Sequence, residues 1–323
     1  MLTYSVALCT YNGSKYVIEQ LESIVNQTIP PSQIVVSDDG SKDETMKLVD
    51  NYLSNKSIEY ILVSNYGKHG VTANFQNAMN LCKSPIIFMS DQDDIWLKDK
   101  AEKMLAVYEQ HSNACLVFSD GELVNNNLTM MNCSVWKAVG ITDQRIEEGD
   151  WFHYLLKNCL ITGAGMSVRK ELLDDIDEIP QEWLHDGWLA WAAVFKNGLY
   201  PCNNKLFYYR QHENNVVGMA PSYALRNKMK DWAHNFGEMK AQREIRYKRY
   251  KSLKEKWGYR FTSQQQQELN ECVSFWERMY AMSSRNRIQN VITVFDCYFK
   301  GYYHRFFVGN RGFIRDFFLT FTR

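Results

Sequence analysis

The sequence predicts an α/β fold with a mostly parallel sheet flanked by helices, followed by a helical, basic C-terminal extension. Short apolar runs rich in Val, Ile and Phe alternate with runs of helical periodicity over the first part of the chain. Polar clusters follow several of these strand-like runs, and after Pro221 the pattern changes to long, charged, helix-forming sequence. We therefore predict one domain over residues 1–221 and a helical region, rich in basic and aromatic residues, over 222–323.

The predicted strands are short and apolar, which is typical of strands buried on both faces. They are Tyr4–Thr10, Gln33–Ser37, Glu59–Ser64, Ile86–Ser90 and Cys115–Ser119. Helices with apolar residues at helical spacing lie between them, at Tyr16–Asn26, Lys42–Leu53, Val71–Leu81 and Lys98–His111. This β-α-β order favours parallel pairing with helices on both faces, and ligands then bind beyond the carboxyl ends of the strands.

The rest of the chain has a weaker strand pattern. We predict loops over Asn125–Ile146, a strand with close backbone approach over Leu160–Val168, a helix over Leu184–Lys196 and a last strand over Lys205–Tyr209. The predicted helices of the extension are Ser222–Lys256, Ser263–Met282 and Asn286–Tyr298.

Composition limits the classes of protein that this chain can be. Its 323 residues, 45% of them hydrophobic, suffice for one sizeable core with an appendage. No run of about 18 uncharged apolar residues predicts a transmembrane helix, and the N-terminus does not resemble a signal peptide. The eight cysteines are scattered without a C-x-x-C pair, which favours buried, reduced thiols in a cytosolic protein.

A net charge of zero hides a strong asymmetry between the two regions. Residues 223–323 contain 20 Lys and Arg against 9 Asp and Glu, a charge of +11, so residues 1–222 carry −11. An acidic region followed by a basic one indicates different partners for the two, and the basic region suits an anionic membrane or nucleic acid.

The acidic cluster Asp91-Gln92-Asp93-Asp94 directly follows the apolar strand Ile86–Ser90. Three carboxylates in four residues repel one another unless a cation lies among them. Mg²⁺ and Mn²⁺ prefer oxygen ligands and are usually held by one or two carboxylates together with substrate phosphates. From spacing alone, a solvated turn before a helix explains the cluster equally well.

Other polar residues are weaker signals. Asp38, just beyond its strand, could accept a hydrogen bond from a base N–H or simply stabilise the Asp39-Gly40 turn. Tyr11 could stack on a base or pack against a loop. Asp186 and His212 are each isolated in the sequence, and a lone histidine is more often structural than a ligand.

Taken together and in order, these segments resemble an inverting family 2 glycosyltransferase with the glycosyltransferase A-type, Rossmann-like fold. The matching strings are Val6–Gly13, Glu22–Thr28, Ile34–Ser41, Phe88–Trp96, Thr162–Gly165, His185-Asp186 and Tyr209–His212. The resemblance covers roughly residues 3–218, and the ordered set is more specific than any single string.

The resemblance implies a role for each matched residue. Thr10, Tyr11 and Asp38 hold the nucleoside, with Tyr11 against the base. Asp91 and Asp93 stand in the family's Asp-x-Asp motif, which holds Mn²⁺ or Mg²⁺ on the diphosphate, and His212 completes the metal or diphosphate site. Asp186 is the general base; the family often has Glu-Asp where this chain has His185-Asp186. The remaining residues that we assign to donor binding are Asn12, Asp39, Asn74, Gln92, Gly163 and Arg210.

The implied function is inverting, metal-dependent sugar transfer from a nucleotide diphosphate to a hydroxyl of a bacterial surface polysaccharide, such as a capsule or cell-wall glycan. The strings His185–Trp188 and Tyr209–Gly218 resemble rhamnosyltransferases that use dTDP-β-L-rhamnose, although these often have Gly in place of Glu213. The chain lacks Gln-x-x-Arg-Trp, which indicates non-processive transfer. Alternatives are a UDP-hexose or UDP-N-acetylhexosamine donor, a sugar nucleotidyltransferase, and an inactive scaffold subunit of a polysaccharide-assembly complex.

The C-terminal tail interleaves aromatic with basic residues, which suits an anionic membrane surface. We expect a cytoplasmic protein, peripheral at the inner face of the cell membrane, acting on a lipid-linked acceptor. The alternative is that the aromatic residues pack against the rest of the chain or a second copy in a homo-oligomer. We expect no nucleic-acid partner, because no nucleic-acid-binding motif accompanies the charge.

Overall fold

The computed structural model describes residues 2–157, 161–176, 178–213 and 236–321. Contacts divide the chain into two compact units. The first unit comprises Met1–Gly149, Leu160–Ile179 and Trp183–Met219, and the second comprises Asp150–Cys159, Pro180–Glu182 and Ala220–Arg323. The domain boundary that we predict at residue 221 lies outside the described residues.

A nine-stranded sheet forms the first unit. Its strands are β1 (Tyr4–Thr10), β2 (Gln33–Asp38), β3 (Glu59–Ser64), β4 (Ile86–Ser90), β5 (Ile95–Trp96), β6 (Leu116–Asn125), β7 (Met130–Ser134), β8 (Met166–Arg169) and β9 (Leu199–Gln211). They lie in the order β3-β2-β1-β4-β8-β6-β9-β5, with β7 paired to β6. The predicted fold class is confirmed. The first four strands are parallel, whereas β8 runs antiparallel to both β4 and β6, so the sheet as a whole is mixed.

Helices cover the sheet of the first unit. They are α1 (Val17–Val25), α2 (Thr45–Leu53), α3 (Val71–Leu81), α4 (Lys100–Gln110), α5 (Val135–Val139), α6 (Asp143–Glu148) and, after α7 of the second unit, α8 (His185–Phe195). One 3₁₀ turn covers Gly163–Gly165 and another Lys170–Asp175. The main core lies between one sheet face and α1, α2 and α4, where Val6, Val36 and Phe88 pack among Leu21, Val49 and Met104. Burial of both sheet faces explains why the strands read as continuous apolar runs.

The loops predicted over Asn125–Ile146 are wrong, because this segment contains β7, α5 and most of α6. Each short helix has a clear beginning and end. The side chains of Ser134 and Thr142 accept N-cap hydrogen bonds, and Gly140 and Gly149 adopt the left-handed conformation that ends a helix. The strand predicted at Lys205–Tyr209 likewise belongs to a much longer β9, because long-range pairing with β6 extends it.

The second unit is helical in its described part. Its helices are α7 (Trp151–Lys157), α9 (Phe236–Trp257), α10 (Ser263–Ala281), α11 (Arg287–Phe299), α12 (Tyr302–Phe306) and α13 (Asn310–Leu319). Capping boxes formed by Thr262 with Gln265 and by Asn286 with Gln289 begin α10 and α11. The predicted start of α9 at Ser222 lies outside the described residues. No helix of the described part is both long and apolar enough to cross a bilayer.

The aromatic residues of the tail divide into two sets. Tyr303, Phe306 and Phe307 are buried and pack around Phe275 and Trp276 of α10. By contrast, six apolar side chains on α11, on α13 and just after α13 are exposed: Ile288, Ile292, Phe299, Ile314, Phe318 and Phe321. Helix packing therefore accounts for the first set, as the alternative interpretation of the tail predicted, but not for the second.

Candidate active site

Asp38 organises the turn that follows β2. Its Oδ1 accepts hydrogen bonds from the hydroxyls of Thr10 at 2.8 Å and Ser41 at 2.6 Å, and its Oδ2 accepts from the backbone N–H groups of Gly40 and Ser41. The side chain is buried. The predicted nucleoside-site residues Thr10 and Asp38 therefore meet at the ends of two neighbouring strands, where the protein itself satisfies the carboxylate.

The loops after β1 and β2 are joined by reciprocal hydrogen bonds. Asn12 has a left-handed backbone with φ of 48°, a conformation that asparagine tolerates well. Its N–H donates to Ser41 Oγ, and its Oδ1 accepts from the N–H of Lys42, both at 2.8 Å. Partial burial alone would raise the pKa of Asp43, but hydrogen bonds from Thr45 and Ser14 hold it at about 2. The two loops thus form one preorganised surface.

Gln92 clips the backbone of Tyr11. Its Oε1 accepts from the Tyr11 N–H at 2.9 Å, and its Nε2 donates to the Tyr11 carbonyl at 3.0 Å. The clip lies directly over Gly13, where an added Cβ would come within 2.0 Å of Gln92 Oε1. It leaves the Tyr11 side chain 56% exposed, so its ring can take a stacking partner.

Asn74 and Asp39 brace the same edge of the sheet. The buried Asn74 side chain donates to the carbonyls of Ser37 and Thr10 and accepts from Ser37 Oγ at 2.6 Å. Asp39 accepts from Asn65 Nδ2 at 3.0 Å and from the Gly70 N–H at 2.8 Å. The described contacts of both residues hold loops together at this edge of the sheet, and their role in donor binding remains a prediction.

The three carboxylates of the acidic cluster have different environments. Asp94 is almost completely buried; its Oδ1 accepts from the Arg210 N–H, and its Oδ2 has no hydrogen-bond partner among the described residues. Burial, reinforced by Asp93 and Asp91, raises its pKa well above the usual value. Burial also raises the pKa of Asp91 to about 7, with further contributions from Asp93 and Asp186 and an opposing one from Lys100. The acidic cluster thus shares its electrostatic environment with the predicted base.

His212 pairs with Asp93, with 2.7 Å between Nε2 and Oδ2. The imidazole also stacks on the ring of Tyr16, with centroids 5.0 Å apart. Sequence reasoning missed Tyr16, whose only signal is an aromatic residue at the start of the first helix. The Arg210 guanidinium lies 4.7 Å from the centroid of the same ring.

Arg210 is buried, and its described contacts are with the protein. Its Nε donates to the Asp93 carbonyl at 2.8 Å, its Nη1 donates to the Asn126 carbonyl at 3.0 Å, and its Nη2 forms an ion pair with Glu19. These bonds fix the backbone of Asp93 and so orient the side chain that meets His212. Arg210 therefore supports the acidic cluster from behind.

Asp186 lies in the first turn of α8. Its Oδ1 accepts from the Gly187 N–H at 2.6 Å, and its Oδ2 accepts from the Gly163 N–H at 3.3 Å. These contacts, together with its effect on the pKa of Asp91, bring three predicted site elements together within the first unit: the acidic cluster, the Gly163 turn and the base.

His185, next to Asp186, is buried against Phe75, with ring centroids 4.0 Å apart. Burial lowers its pKa, with Asp186 opposing, so the imidazole is neutral at neutral pH. A Cβ at Gly163 would come within 2.7 Å of His185 Nε2. The His185 imidazole therefore requires glycine at position 163.

Lys100 is a second residue that sequence reasoning missed. Its side chain is fully buried, donates to the Ala164 carbonyl at 2.6 Å and lies 4.2 Å from the Trp96 ring centroid. Burial lowers its pKa to about 7, although Asp94 and Asp91 raise it. A lysine in a charged helix start gives no sequence signal of burial, so only the fold reveals this cation beside the acidic cluster.

The Asp93–His212 pair fits a divalent ion that takes its other ligands from the substrate and water. Among the described residues, no group of three or more His, Cys, Asp and Glu side chains could hold a metal ion. Asp93 and His212 offer two donors 2.7 Å apart. Ligands on adjacent corners of an octahedral Mg²⁺ lie about 3 Å apart, and such ions usually take their other ligands from water and phosphates. Ligation of a metal ion by Asp91, Asp93 and His212 remains a prediction.

Comparisons with known proteins show which family the sequence resembles. The model of Glycosyl transferase family 2 matches residues 5–176. The dTDP-rhamnosyl transferase RfbG of Shigella flexneri is 30% identical over 234 residues, which are 68% of this chain and 77% of that protein.

Solved structures show the same fold. S. aureus TarS in complex with UDP-GlcNAc matches with a TM-score of 0.57 at 16% identity, over 87% of this chain and 90% of that chain. The mannosyltransferase PcManGT of Pyrobaculum calidifontis, in complex with GDP-Man and Mn²⁺, matches with a TM-score of 0.50 at 17% identity, over 66% of this chain and 58% of that chain. The matched family model spans more than half of the sequence, and the chain belongs to glycosyl transferase family 2.

Proposed function

We propose that this glycosyltransferase is an inverting, non-processive enzyme that moves L-rhamnose from dTDP-β-L-rhamnose onto a hydroxyl of a surface-polysaccharide acceptor. The observation that carries the proposal is the gathering of the Asp93–His212 pair and the Asp186 carboxylate in the first unit, at the carboxyl-end edge of the sheet. The 30% identity to a dTDP-rhamnosyl transferase supports the choice of donor.

The nucleoside lies, in this proposal, on the surface formed by the loops after β1 and β2. The exposed ring of Tyr11 stacks on the base, since the Gln92 clip already holds its backbone. Asp38 accepts from a base N–H in exchange for the Ser41 hydroxyl. Asn12, Asp39 and Asn74 act by keeping these loops in place.

The diphosphate lies beside the Asp93–His212 pair, where a bound Mn²⁺ or Mg²⁺ would neutralise the charge that develops on the leaving group. Asp93 and His212 would hold the ion, with Asp91 and Gln92 facing the same region. Arg210 orients the Asp93 backbone through its Nε, and Gly163 makes room for the His185 imidazole while its N–H donates to Asp186. Each of these residues thus acts on the position of the diphosphate or of the sugar.

Asp186 takes the proton of the acceptor hydroxyl while that oxygen forms a bond to the anomeric carbon. The bond between this carbon and the diphosphate oxygen breaks in the same displacement, so the β-L-rhamnosyl donor gives an α-L-rhamnoside. Hydrogen bonds from Gly163 and Gly187 orient the carboxylate. This arrangement supplies the positioned base that general base catalysis requires.

The second unit supports a role at a membrane surface. We define its apolar face as the exposed side chains of Ile288, Ile292, Phe299, Ile314, Phe318 and Phe321, which are 48% to 81% exposed. Contacts of Phe295 with Phe313 and Phe317 hold α11 against α13, so the residues form one surface rather than scattered points. Contiguous apolar surface of this kind marks an interaction site.

An anionic lipid bilayer is the occupant that we propose for the apolar face. Exposed Arg287, Lys300 and Arg311 lie on the same two helices or at their ends, and the region carries a net charge of +11. Apolar side chains enter the headgroup boundary while the basic residues meet anionic lipid. The enzyme then works at the inner face of the cell membrane, where a lipid-linked acceptor is within reach.

A thermal-shift screen of nucleotide sugars tests the donor. With Mn²⁺, dTDP-β-L-rhamnose should raise the unfolding temperature more than UDP-glucose or UDP-N-acetylglucosamine, since saturation at one hundred times Kd stabilises by about 2.7 kcal/mol. Asp93→Ala should lose the Mn²⁺-dependent part of the shift. A larger shift with a UDP-sugar would overturn the donor assignment, and no turnover with any donor would favour the scaffold alternative.

A further inference from the structure

A cavity of about 350 Å³ opens in the first unit, apart from the residues assigned to the donor. Its floor is formed by Asp120 of β6 and Trp136 of α5, both buried. Its rim is polar and includes Asn203, Asn204 and the exposed α6 residue Glu147. The volume falls in the range of small-molecule sites.

A β-bulge turns the two asparagines toward this cavity. Ser119 pairs with Cys202 and Asp120 pairs with Lys205, so Asn203 and Asn204 are extra residues in β9 with no partner in β6. Bulges of this kind redirect side chains and often accompany functional sites. The bulge therefore provides two carboxamides, each able to donate and to accept.

The floor of the cavity is rigid. Asp120 Oδ1 accepts from the backbone N–H groups of Gly121 and Trp136, both at 2.8 Å. The Trp136 ring packs against Phe118 with centroids 5.5 Å apart. A carboxylate and an indole are thus fixed side by side before any ligand arrives.

The charges of the lining select against anions. Asp120, Asp143 and Glu147 line the cavity together with a single cation, Lys205. The Lys205 ammonium already donates to Glu122 at 2.6 Å. A diphosphate, phosphate or uronate would meet net repulsion, whereas sugar hydroxyls can donate to carboxylates and accept from amides.

The sheet register relates the cavity to the acidic cluster. Ser167 of β8 pairs with Phe88 of β4 and also with Val117 of β6. Asp120 follows Val117 by three residues within β6, and Asp91 follows Phe88 by three residues, directly after the end of the parallel strand β4. Strands two positions apart are about 10 Å apart, so Asp120 lies level with Asp91 at about that distance.

We propose that this cavity binds an uncharged sugar residue of the acceptor glycan, next to the residue that receives the transferred sugar. The inference rests on the proposed function, because only a glycan acceptor needs a second saccharide subsite at this edge of the sheet. It adds that the acceptor carries a neutral residue at this position, rather than a uronic acid or a sugar phosphate.

Saturation-transfer NMR with methyl glycosides tests the subsite on the full chain. The probes are methyl α-L-rhamnoside and methyl N-acetyl-β-D-glucosaminide as neutral sugars, methyl β-D-glucuronide as an anion and methyl β-D-glucosaminide as an amine. At least one neutral probe should bind without competition from dTDP. The double variant Asn203→Ala/Asn204→Ala should weaken this binding roughly fivefold or more, because it removes up to two hydrogen bonds. The matched control Asn51→Ala, an exposed asparagine of α2, should not.

Several outcomes overturn the subsite. The subsite is wrong if no neutral probe binds at 20 mM (roughly the limit of useful weak binding), or if the glucuronide binds as well as the neutral probes or the amine binds better than they do. It is also wrong if dTDP displaces the neutral probe, or if the double variant binds that probe as well as the wild type does. Hydrolysis of dTDP-β-L-rhamnose separates this result from the proposed function. If dTDP-β-L-rhamnose is hydrolysed normally but no neutral sugar binds, the subsite is wrong and the proposed function stands. If a neutral sugar binds and the double variant loses that binding, but no donor is turned over, the proposed function is wrong.

Discussion

At the scale of single residues, the candidate site combines residues that we propose to act on the substrates with residues that hold them in position. In the first group, the ring of Tyr11 is exposed and His212 pairs with Asp93. The carboxylate of Asp186 belongs to the same group. Behind them, Arg210 and Asn74 are buried and bonded to backbone carbonyls. A small enzyme needs both kinds, because a reactive carboxylate is useful only when its position is fixed.

Replacing the proposed base isolates its role. Asp186→Asn keeps the size of the side chain and an oxygen that can accept from Gly163, but it cannot take a proton. We expect transfer to fall by a factor of about 10² to 10⁴ with little change in the donor-induced thermal shift. Transfer within tenfold of the wild type would remove Asp186 from the mechanism.

A larger side chain at Gly13 tests the two hydrogen bonds between Gln92 and the Tyr11 backbone, which we call the Gln92 clip. Gly13→Ala places a methyl group 2.0 Å from the position of Gln92 Oε1, so the amide must leave the Tyr11 backbone. We expect donor binding to weaken roughly tenfold, the equivalent of about 1.4 kcal/mol for two lost hydrogen bonds. In a Gln92→Ala background the same methyl group should cost little, and this non-additivity can be measured by a double-mutant cycle. Additive losses would contradict the clip.

At the scale of elements, the second unit depends on contacts between α7 and the helices that follow it much later in the chain. Tyr250 donates its hydroxyl to the Leu156 carbonyl at 2.8 Å, and Phe152 meets Phe261 edge-on at 5.2 Å. His153 Nε2 lies 2.6 Å from Glu268 Oε2, and its Nδ1 meets Asp150. The helices of this unit are therefore joined by polar as well as apolar contacts.

These contacts of His153 predict a pH dependence of stability. Burial alone would lower its pKa, but the flanking carboxylates of Asp150 and Glu268 raise it above 6.5. The stabilisation is therefore complete below about pH 6.5 and is lost as pH rises through the higher folded-state pKa. It should not exceed about 1 kcal/mol, because the imidazole is half exposed.

The test compares the wild type with His153→Gln at two pH values. The advantage of the wild type in free energy of unfolding should be larger at about pH 6 than at about pH 8.5, on either side of the ordinary histidine pKa. Denaturant titrations measure both values. An equal difference at the two pH values would show that folding does not raise the pKa of the His153 imidazole.

The apolar face makes a prediction about two helices. Phe299→Ser/Phe318→Ser should weaken binding to phosphatidylglycerol vesicles more than tenfold, since two partly inserted rings contribute about 2 kcal/mol. Ile245→Ser/Tyr259→Ser replaces exposed apolar residues of the same unit outside the face and serves as the matched control. Vesicle co-sedimentation gives both affinities. Unchanged vesicle binding together with loss of a dimer in light scattering would assign the face to a second copy.

At the scale of the whole molecule, charge is distributed unevenly along a neutral chain, with −11 before residue 223 and +11 from there on. The acidic region contains the carboxylates that we propose to hold a divalent ion and to line the neutral-sugar cavity. The basic region contains the apolar face. The unequal distribution therefore follows the proposed division of tasks between the catalytic region and the C-terminal region.

Salt dependence tests the electrostatic part of membrane binding. Each basic residue near an anionic surface contributes about 1 kcal/mol at most, and this attraction falls within a Debye length. Raising NaCl from about 0.05 to 0.3 M should weaken binding to phosphatidylglycerol vesicles at least tenfold while leaving binding to phosphatidylcholine vesicles unchanged. Equal salt dependence for both lipids would contradict a basic contact surface.

The sequence by itself determined the elements whose signals are local. Strands β1 to β4 end within one residue of their predicted bounds, because a buried parallel strand is a continuous apolar run that polar residues end. The ordered strings around Asp38, Asp91 and Asp186 predicted the fold class and the family for the same reason. Each was readable from neighbours in the chain.

Only the tertiary structure decided the features that depend on distant residues. The burial of Lys100 against the Ala164 carbonyl, the stacking of Tyr16 on His212 and the bulge at Asn203 have no signature in their neighbours, since each needs a partner 64 or more residues away or a strand pairing. The aromatic residues of the tail likewise look alike in the sequence, but some are buried and others are exposed. Packing on α10 buries Phe306 and leaves Phe299 in solvent, because tertiary contacts decide which face of each helix is covered.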